Sequence, residues 1–402
     1  METYNPGPFR SFWQGGFECA DHLNCFGNRV DMLHITGHDV CVAEDYKALQ
    51  QLGIFTAREG IRWSHVERVP GQYDWAEVKN RIQVAQELGM QQIWDLCHFG
   101  YPDYLSPLHP HFSGRFTDMC RAFAWLWKEI STERLMVIPI NEMSFISWLG
   151  GDVRGTVPYT FHNGFEVKYR LAAAAIQGIK AIKEILPDAL VLSSEPLIHV
   201  WPQCGRIGTP HDVRGLREAQ FQAMDMVFGH ICPELGGSRD LIDIIGFNFY
   251  YDNQWRHCEG RTCWETDRGG AWAKPSRLLM KAYRRYNKPF FISETSHLGT
   301  GRGEWLEYMA QECQTVINRG GDLRGVCLYP ILDRPDWDYL HLWHNSGMWD
   351  MMQHENQPPK RILCNHYAQA LHKVRSSLHA KGSKQPHQPT ITINQINAYQ
   401  LP

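Results

Sequence analysis

Eight short apolar runs recur along the chain, each followed by a longer amphipathic or polar stretch, and few architectures accept that alternation. The runs are residues 12–20, 53–63, 90–99, 134–142, 189–196, 241–251, 288–295 and 323–333. They are of strand length and bounded by turn residues, as expected of strands buried on both faces of a parallel sheet. The intervening segments 39–53, 75–89, 165–188 and 304–321 carry helical periodicity, and several close on Gly or Pro. Parallel strands need crossovers, and eight such units predict an α/β chain folded as a single (β/α)8 TIM barrel. A length of 402 residues suits one barrel with enlarged βα loops. Three long insertions, 100–116, 148–164 and 199–215, each follow a strand, which places them on the face that barrels use for chemistry. Residues 1–375 are assigned to the barrel. From residue 376 the sequence turns polar and Pro-bearing, and 376–402 reads as a tail or linker.

Charge excludes several classes of partner. Forty basic and 43 acidic residues leave a net charge of −3, which offers no footprint for nucleic acid or an anionic membrane. No basic leader precedes an apolar segment, and no run is long enough to span a bilayer, so a cytoplasmic protein is expected. The sequence does not determine the oligomeric state. Twelve cysteines lack a C-x-x-C pair and the histidines lack an H-E-x-x-H helix motif. Reduced, mostly buried thiols are therefore expected, with no metal and no cofactor. Fifteen tryptophans fit either a large core or flat apolar platforms for a small neutral ligand.

Almost every expected strand ends in a polar group: Glu18, Arg58, His98, Asn141 with Glu142, Glu195, Asn248 with Tyr250, and Glu294. In a barrel such tips converge on one cleft. Glu142 on the fourth strand and Glu294 on the seventh supply two carboxyl groups facing each other, the apparatus of glycoside hydrolysis. One must hold a proton while the other stays ionised beside donors, and Arg58 and Tyr250 are placed to be those donors for Glu294. Asn141 is placed to hydrogen-bond a sugar 2-hydroxyl.

These residues resemble the clan A retaining glycosidases, most closely the family 1 β-glycosidases. The segment "TAREGIRWSHVERVPGQYDW" is similar to the family's second strand, with its Arg and a Trp five residues on, and "CHFGYPDYL" to its third-strand histidine segment. "INE" resembles the acid/base motif, "GFNFYY" the Asn-x-Tyr strand that holds Asn248, and "FISET" the nucleophile motif. The resemblance implies Glu142 as acid/base, Glu294 as nucleophile, Arg58 and Tyr250 as its partners, Asn141 at the 2-hydroxyl and His98 near the 3-hydroxyl. Two departures stand out. Where the family's first strand presents a glutamine, this chain offers Glu18, Asp21 and His22; its eighth strand keeps Asp333 and Trp337 but carries Tyr329 at the platform and Asp336 in place of a glutamate. Trp337, Trp343 and Tyr329 are the expected stacking surfaces. The implied activity is an exo-acting, β-glucosidase-like retaining β-glycosidase acting on a small glycoside or oligosaccharide, with hydrolysis and transglycosylation both open. An endo-acting clan A glycanase and a non-catalytic carbohydrate-binding barrel are the competing readings.

Overall fold

A computed structural model describes residues 4–204, 211–267, 270–354, 357–376 and 378. Its centre is a curled, wholly parallel sheet of the TIM-barrel kind. The strands are Trp13–Gly16, Thr56–Gly60, Gln91–Asp95, Met136–Ile138, Leu190–Val191, Glu195–Pro196, Ile245–Asn248, Phe290–Thr295 and Leu323–Leu328. All eight expected runs contribute, though each strand is shorter than its apolar run because the ends turn into loops or face the cleft. Neighbours follow sequence order except at the fifth run. There Leu190–Val191 pairs with the fourth strand, Glu195–Pro196 pairs with Ile245–Asn248, and Leu192 bridges Ile244 between them. Both ends of the strand order thus lie in one stretch, Leu190–Pro196.

Helices separate the strands and cover the sheet from outside. Val42–Gln51, Ala76–Leu88, Gly164–Ile185 and Arg302–Asn318 lie where the periodicity predicts them. Three others were not legible. Phe112–Ile130 begins inside a segment expected to be loop, while His211–Ala219 and Pro275–Tyr286 lie in polar sequence whose apolar stripe is thin. The insertion after the fourth strand is partly helical too, as the π-helix Ser147–Asp152. In the insertion after the fifth, His199–Trp201 pairs with Gln254–Arg256 in a small separate sheet. A hairpin, Trp349–His354 with Gln357–Leu363, and the helix Asn365–Arg375 complete the fold. The tail expected from 376 falls almost wholly outside the described residues.

Two apolar bodies result. The larger fills the space between sheet and helices. The smaller joins Ile93, Met136, Ile138, Leu190, Leu192, Ile244 and Phe291 with Phe9, whose ring meets that of Phe291 at 5.5 Å. This second body is wholly apolar, and the polar side chains of the sheet gather apart from it around Arg58. Among the described residues no helix is long and apolar enough to cross a membrane. All twelve cysteines are free thiols, but only five are buried; Cys25, Cys204, Cys258 and Cys263 are exposed on loops, against the expectation of mostly buried thiols.

Candidate active site

Arg58, fully buried on the second strand, organises the polar end of the sheet. Its Nε and Nη2 donate to the Asp95 carboxylate at 2.7–3.1 Å, Nη1 donates to the Ser293 carbonyl at 3.0 Å and to Glu294 Oε1 at 2.7 Å, and Nη2 also reaches Asn141 Oδ1 at 2.8 Å. One guanidinium thereby joins the strands Thr56–Gly60, Gln91–Asp95 and Phe290–Thr295 with the residues just beyond Met136–Ile138. Burial opposes its charge, but Asp95 and Glu294 outweigh that and raise its pKa. Asp95 is held below its ordinary value in the same way: burial would raise it, and Arg58 with His98 prevails.

Glu294 accepts twice, from Arg58 on one oxygen and from the Tyr250 hydroxyl on the other at 2.6 Å. A register irregularity between Ile292 and Glu294 lets both Ser293 and Glu294 serve the interior, since a local bulge re-aims successive side chains. Burial, followed by Glu294 itself, pushes the Tyr250 phenol well up, so it remains a donor.

Glu142 sits in a different setting. It is half-buried, and Asn248 Nδ2 donates to its Oε1 at 2.8 Å. Asn248 is itself oriented by the Ser194 and Ser293 hydroxyls, which donate to its Oδ1 at 2.9 and 2.6 Å. Burial foremost, and then the Glu294 carboxylate, raise the Glu142 pKa well above the ordinary carboxyl value; the Asn248 bond only moderates this. The two acids are thereby split into one that keeps its proton and one surrounded by an anion's partners.

Beside Asn141 lies His98. Its Nδ1 faces Asp95 Oδ2 at 2.8 Å, so that nitrogen carries the hydrogen and Nε2 is left to accept, from Asn141 Nδ2 at 3.2 Å and the Tyr329 hydroxyl at 3.4 Å. Tyr329 is buried, stacks parallel to His98 and lies over Arg58 at 5.0 Å. It braces the site's floor. Glu18 reaches His98 Nε2 at 3.6 Å and the Arg334 Nε at 3.2 Å. Arg334 in turn lies 5.1 Å from the Trp337 ring, which meets the rings of His22, Phe99 and Phe145. His22 is buried and held neutral, with its pKa pushed down to about 3, foremost by burial and further by the Arg334 guanidinium.

The structure thus brings together Glu142, Glu294, Arg58, Asn141, Tyr250, Asn248, His98, Glu18 and Tyr329, with Trp337 at the rim. Four expected contacts are engaged within the protein. Asp21 accepts from the Ser64 amide and hydroxyl, burial lifts it to about 6, and a Cβ on Gly100 would collide with its carboxyl. Asp336 accepts the Asp338 and Tyr339 amides in a tight turn, and Trp343 bridges Pro335 across the same loop. Asn248, expected among the sugar contacts, uses its amide on Glu142. Sequence reasoning missed Asp95, although an acid three residues before a strand-tip histidine was a usable signal. It also missed Arg334, the cation following Asp333. Cys19, Asp95 and His98 bring possible metal-ligand atoms within 4.8 Å of one another. Arg58 already neutralises Asp95, and burial raises the Cys19 thiol far from its thiolate, so the trio suits a guanidinium better than a metal.

No family model matches the chain, and no curated protein matches it in sequence. Solved structures do. A family 1 β-glucosidase from Thermotoga maritima superposes with a TM-score of 0.73 at 16% identity, covering 93% of this chain and 99% of that one. The β-glucosidase from the same organism in complex with glucoimidazole gives the same values, and its complex with cyclophellitol gives 0.73 at 15% identity over the same shares. This chain therefore has the fold of those glycoside hydrolases.

Proposed function

We propose that this chain is an exo-acting, β-glucosidase-like retaining β-glycosidase built on a (β/α)8 barrel with enlarged βα loops, the barrel occupying residues 1–375. The observation that carries the reading is the unequal pair of acids: Glu294 between a guanidinium and a phenol, and Glu142 kept protonated by burial and by Glu294. In the first step a Glu294 oxygen attacks the anomeric carbon as its bond to the leaving oxygen breaks, and Glu142 delivers its proton to that oxygen. In the second, water or a sugar hydroxyl gives a proton to Glu142 and attacks the same carbon, and the bond to Glu294 breaks. Two inversions return the β configuration. The oxocarbenium character of each transition state suits the anionic floor beneath it. Asn141 is assigned to the 2-hydroxyl, His98 and Glu18 to the next hydroxyls, and Trp337 to the apolar face of the ring. The sugar-mimicking inhibitors bound by the Thermotoga maritima fold neighbours support a ligand of this class. The free thiols, four of them exposed, suit a reducing compartment, and we place the protein in the cytoplasm.

The test is release of nitrophenol from aryl β-glucoside, β-galactoside, β-mannoside, β-fucoside and β-xyloside, with Glu142→Gln and Glu294→Gln beside the wild type. Turnover of at least one glycoside that is lost in Glu294→Gln supports the reading. A wild type inert to all of them, with the β-configured disaccharides included, overturns it.

A further inference from the structure

Glu142 occupies an unusual backbone position. Its φ of 46° and ψ of 54° lie in the left-handed region, where a residue with a Cβ is strained and stays only if its surroundings impose it. What imposes it is the far end of the stretch Leu190–Pro196. The Glu142 amide donates to the Ser194 carbonyl at 2.8 Å, and the next two amides, of Met143 and Ser144, donate to Glu195 Oε1 at 2.8 Å and Oε2 at 3.0 Å. Three consecutive N–H groups are thus received by two consecutive residues. The Ser144 hydroxyl adds a bond to the Gln220 carbonyl at 3.2 Å. Glu195 is buried, and burial lifts its carboxyl to about 7 against the pull of the Ser144 and Met143 amides and Lys168.

Resting on the glycosidase reading, we propose that Glu195 is a positioning residue for the acid/base: its carboxyl group receives the amides of the strained turn that aims Glu142. The charged or titratable groups around it are Glu142, Lys168 from the helix Gly164–Ile185, and Tyr286 from Pro275–Tyr286. Lys168 is itself occupied by the Ala219 carbonyl and Gln222. The charge of Glu195 also reaches Glu142, where it adds to the effect of burial and Glu294. A glutamine here keeps the shape but presents an NH2 to one of the two amides, so one bond becomes a repulsion.

The experiment compares Glu195→Gln and Glu195→Asp with the wild type on two β-glycosides of the same sugar, one with a 2,4-dinitrophenyl and one with an alkyl leaving group. Only the second needs a proton from Glu142. In Glu195→Gln, kcat/KM on the alkyl glycoside is expected to fall about 10²-fold, the scale of a misplaced catalytic group, with far less change on the dinitrophenyl glycoside. The basic limb of the pH profile should move to lower pH, and Glu195→Asp should recover part of both. Equal losses on the two substrates with an unmoved profile would mean a merely structural residue and overturn the proposal, as would an unchanged Glu195→Gln. A wild type that turns over neither glycoside removes the glycosidase reading and this role with it. A wild type whose turnover depends on Glu142 and Glu294 but not on Glu195 removes this role alone.

Discussion

Replacing Arg58 by Met keeps most of the side-chain volume and removes every donor. In the folded protein the change strands two buried carboxylates: Asp95, which receives both Nε and Nη2, and Glu294, which receives Nη1. Breaking a buried pair by removing one partner costs about 3–5 kcal/mol, because the remaining charge is left uncompensated. Against a total stability of roughly 5–15 kcal/mol this is a large share. Urea unfolding at pH 7, followed by tryptophan fluorescence, should show that loss. Its pH dependence follows from Asp95, whose folded pKa is depressed. In the wild type that residue contributes stability above its unfolded pKa of about 3.9 and loses the contribution as pH falls through the lower folded value. Without Arg58 the contribution is absent. The gap between variant and wild type should therefore be widest near neutrality and narrow below about pH 4. Adding Asp95→Asn to Arg58→Met should cost less than the sum of the single changes, by about 0.5–3 kcal/mol. A gap under about 1 kcal/mol at pH 7, or one that fails to narrow below about pH 4, would refute the view that Arg58 is the countercharge for the site.

Three further outcomes are expected. Incubation with a 2,4-dinitrophenyl 2-deoxy-2-fluoro-β-glycoside followed by peptide mapping should place the adduct on Glu294, and an adduct on Glu142 would reverse the two roles. His38 is buried between Asp45 at 2.8 Å and Glu59 at 3.0 Å; burial opposes its charge, but the two carboxylates raise its pKa. Its stabilising share is present in full below the unfolded value of about 6.5 and is lost as pH rises through the raised folded value, so His38→Gln should flatten the decline in stability measured above pH 6.5. A Cβ on Gly16 would lie 2.3 Å from the Tyr329 ring, so Gly16→Ala should destabilise by about 1–3 kcal/mol and depress kcat/KM by moving the brace over Arg58, read by denaturation and kinetics together.

Much of this was legible because two physical signals were strong. Strands buried on both faces must be apolar throughout, so a lone Arg58, Glu294 or Asn141 at such a strand's end stands out against its run. What stayed hidden lacked contrast. The helix Pro275–Tyr286 buries Leu278, Leu279, Met280 and Ala282 among arginines and lysines, so its stripe is diluted. Phe112–Ile130 starts within a segment rich in Pro and His that reads as loop. Asp21 and Asp336 show why a polar residue near a strand tip is not yet a ligand contact: Ser64 takes one oxygen of Asp21 and two backbone amides take one oxygen of Asp336, and only three-dimensional bonding reveals it. Glu195 is the converse case, visible at a strand tip but with no clue in the sequence that it grips the amides beside Glu142.

The loop after the strand Leu323–Leu328 differs from the floor in how it is secured. Asp333 accepts the Ser346 amide and hydroxyl, Asp336 folds the tip upon itself, and contact with the rest of the protein includes Asn24 and Cys25, which donate to the Trp337 carbonyl and Asp338. Arg58, by contrast, is bonded to strands on several sides. Warming should therefore loosen the rim before the floor. On the proposed glycosidase reading, the protein in that interval would still cleave activated aryl glycosides while its preference among sugars blurs, so fidelity would fail at a lower temperature than turnover.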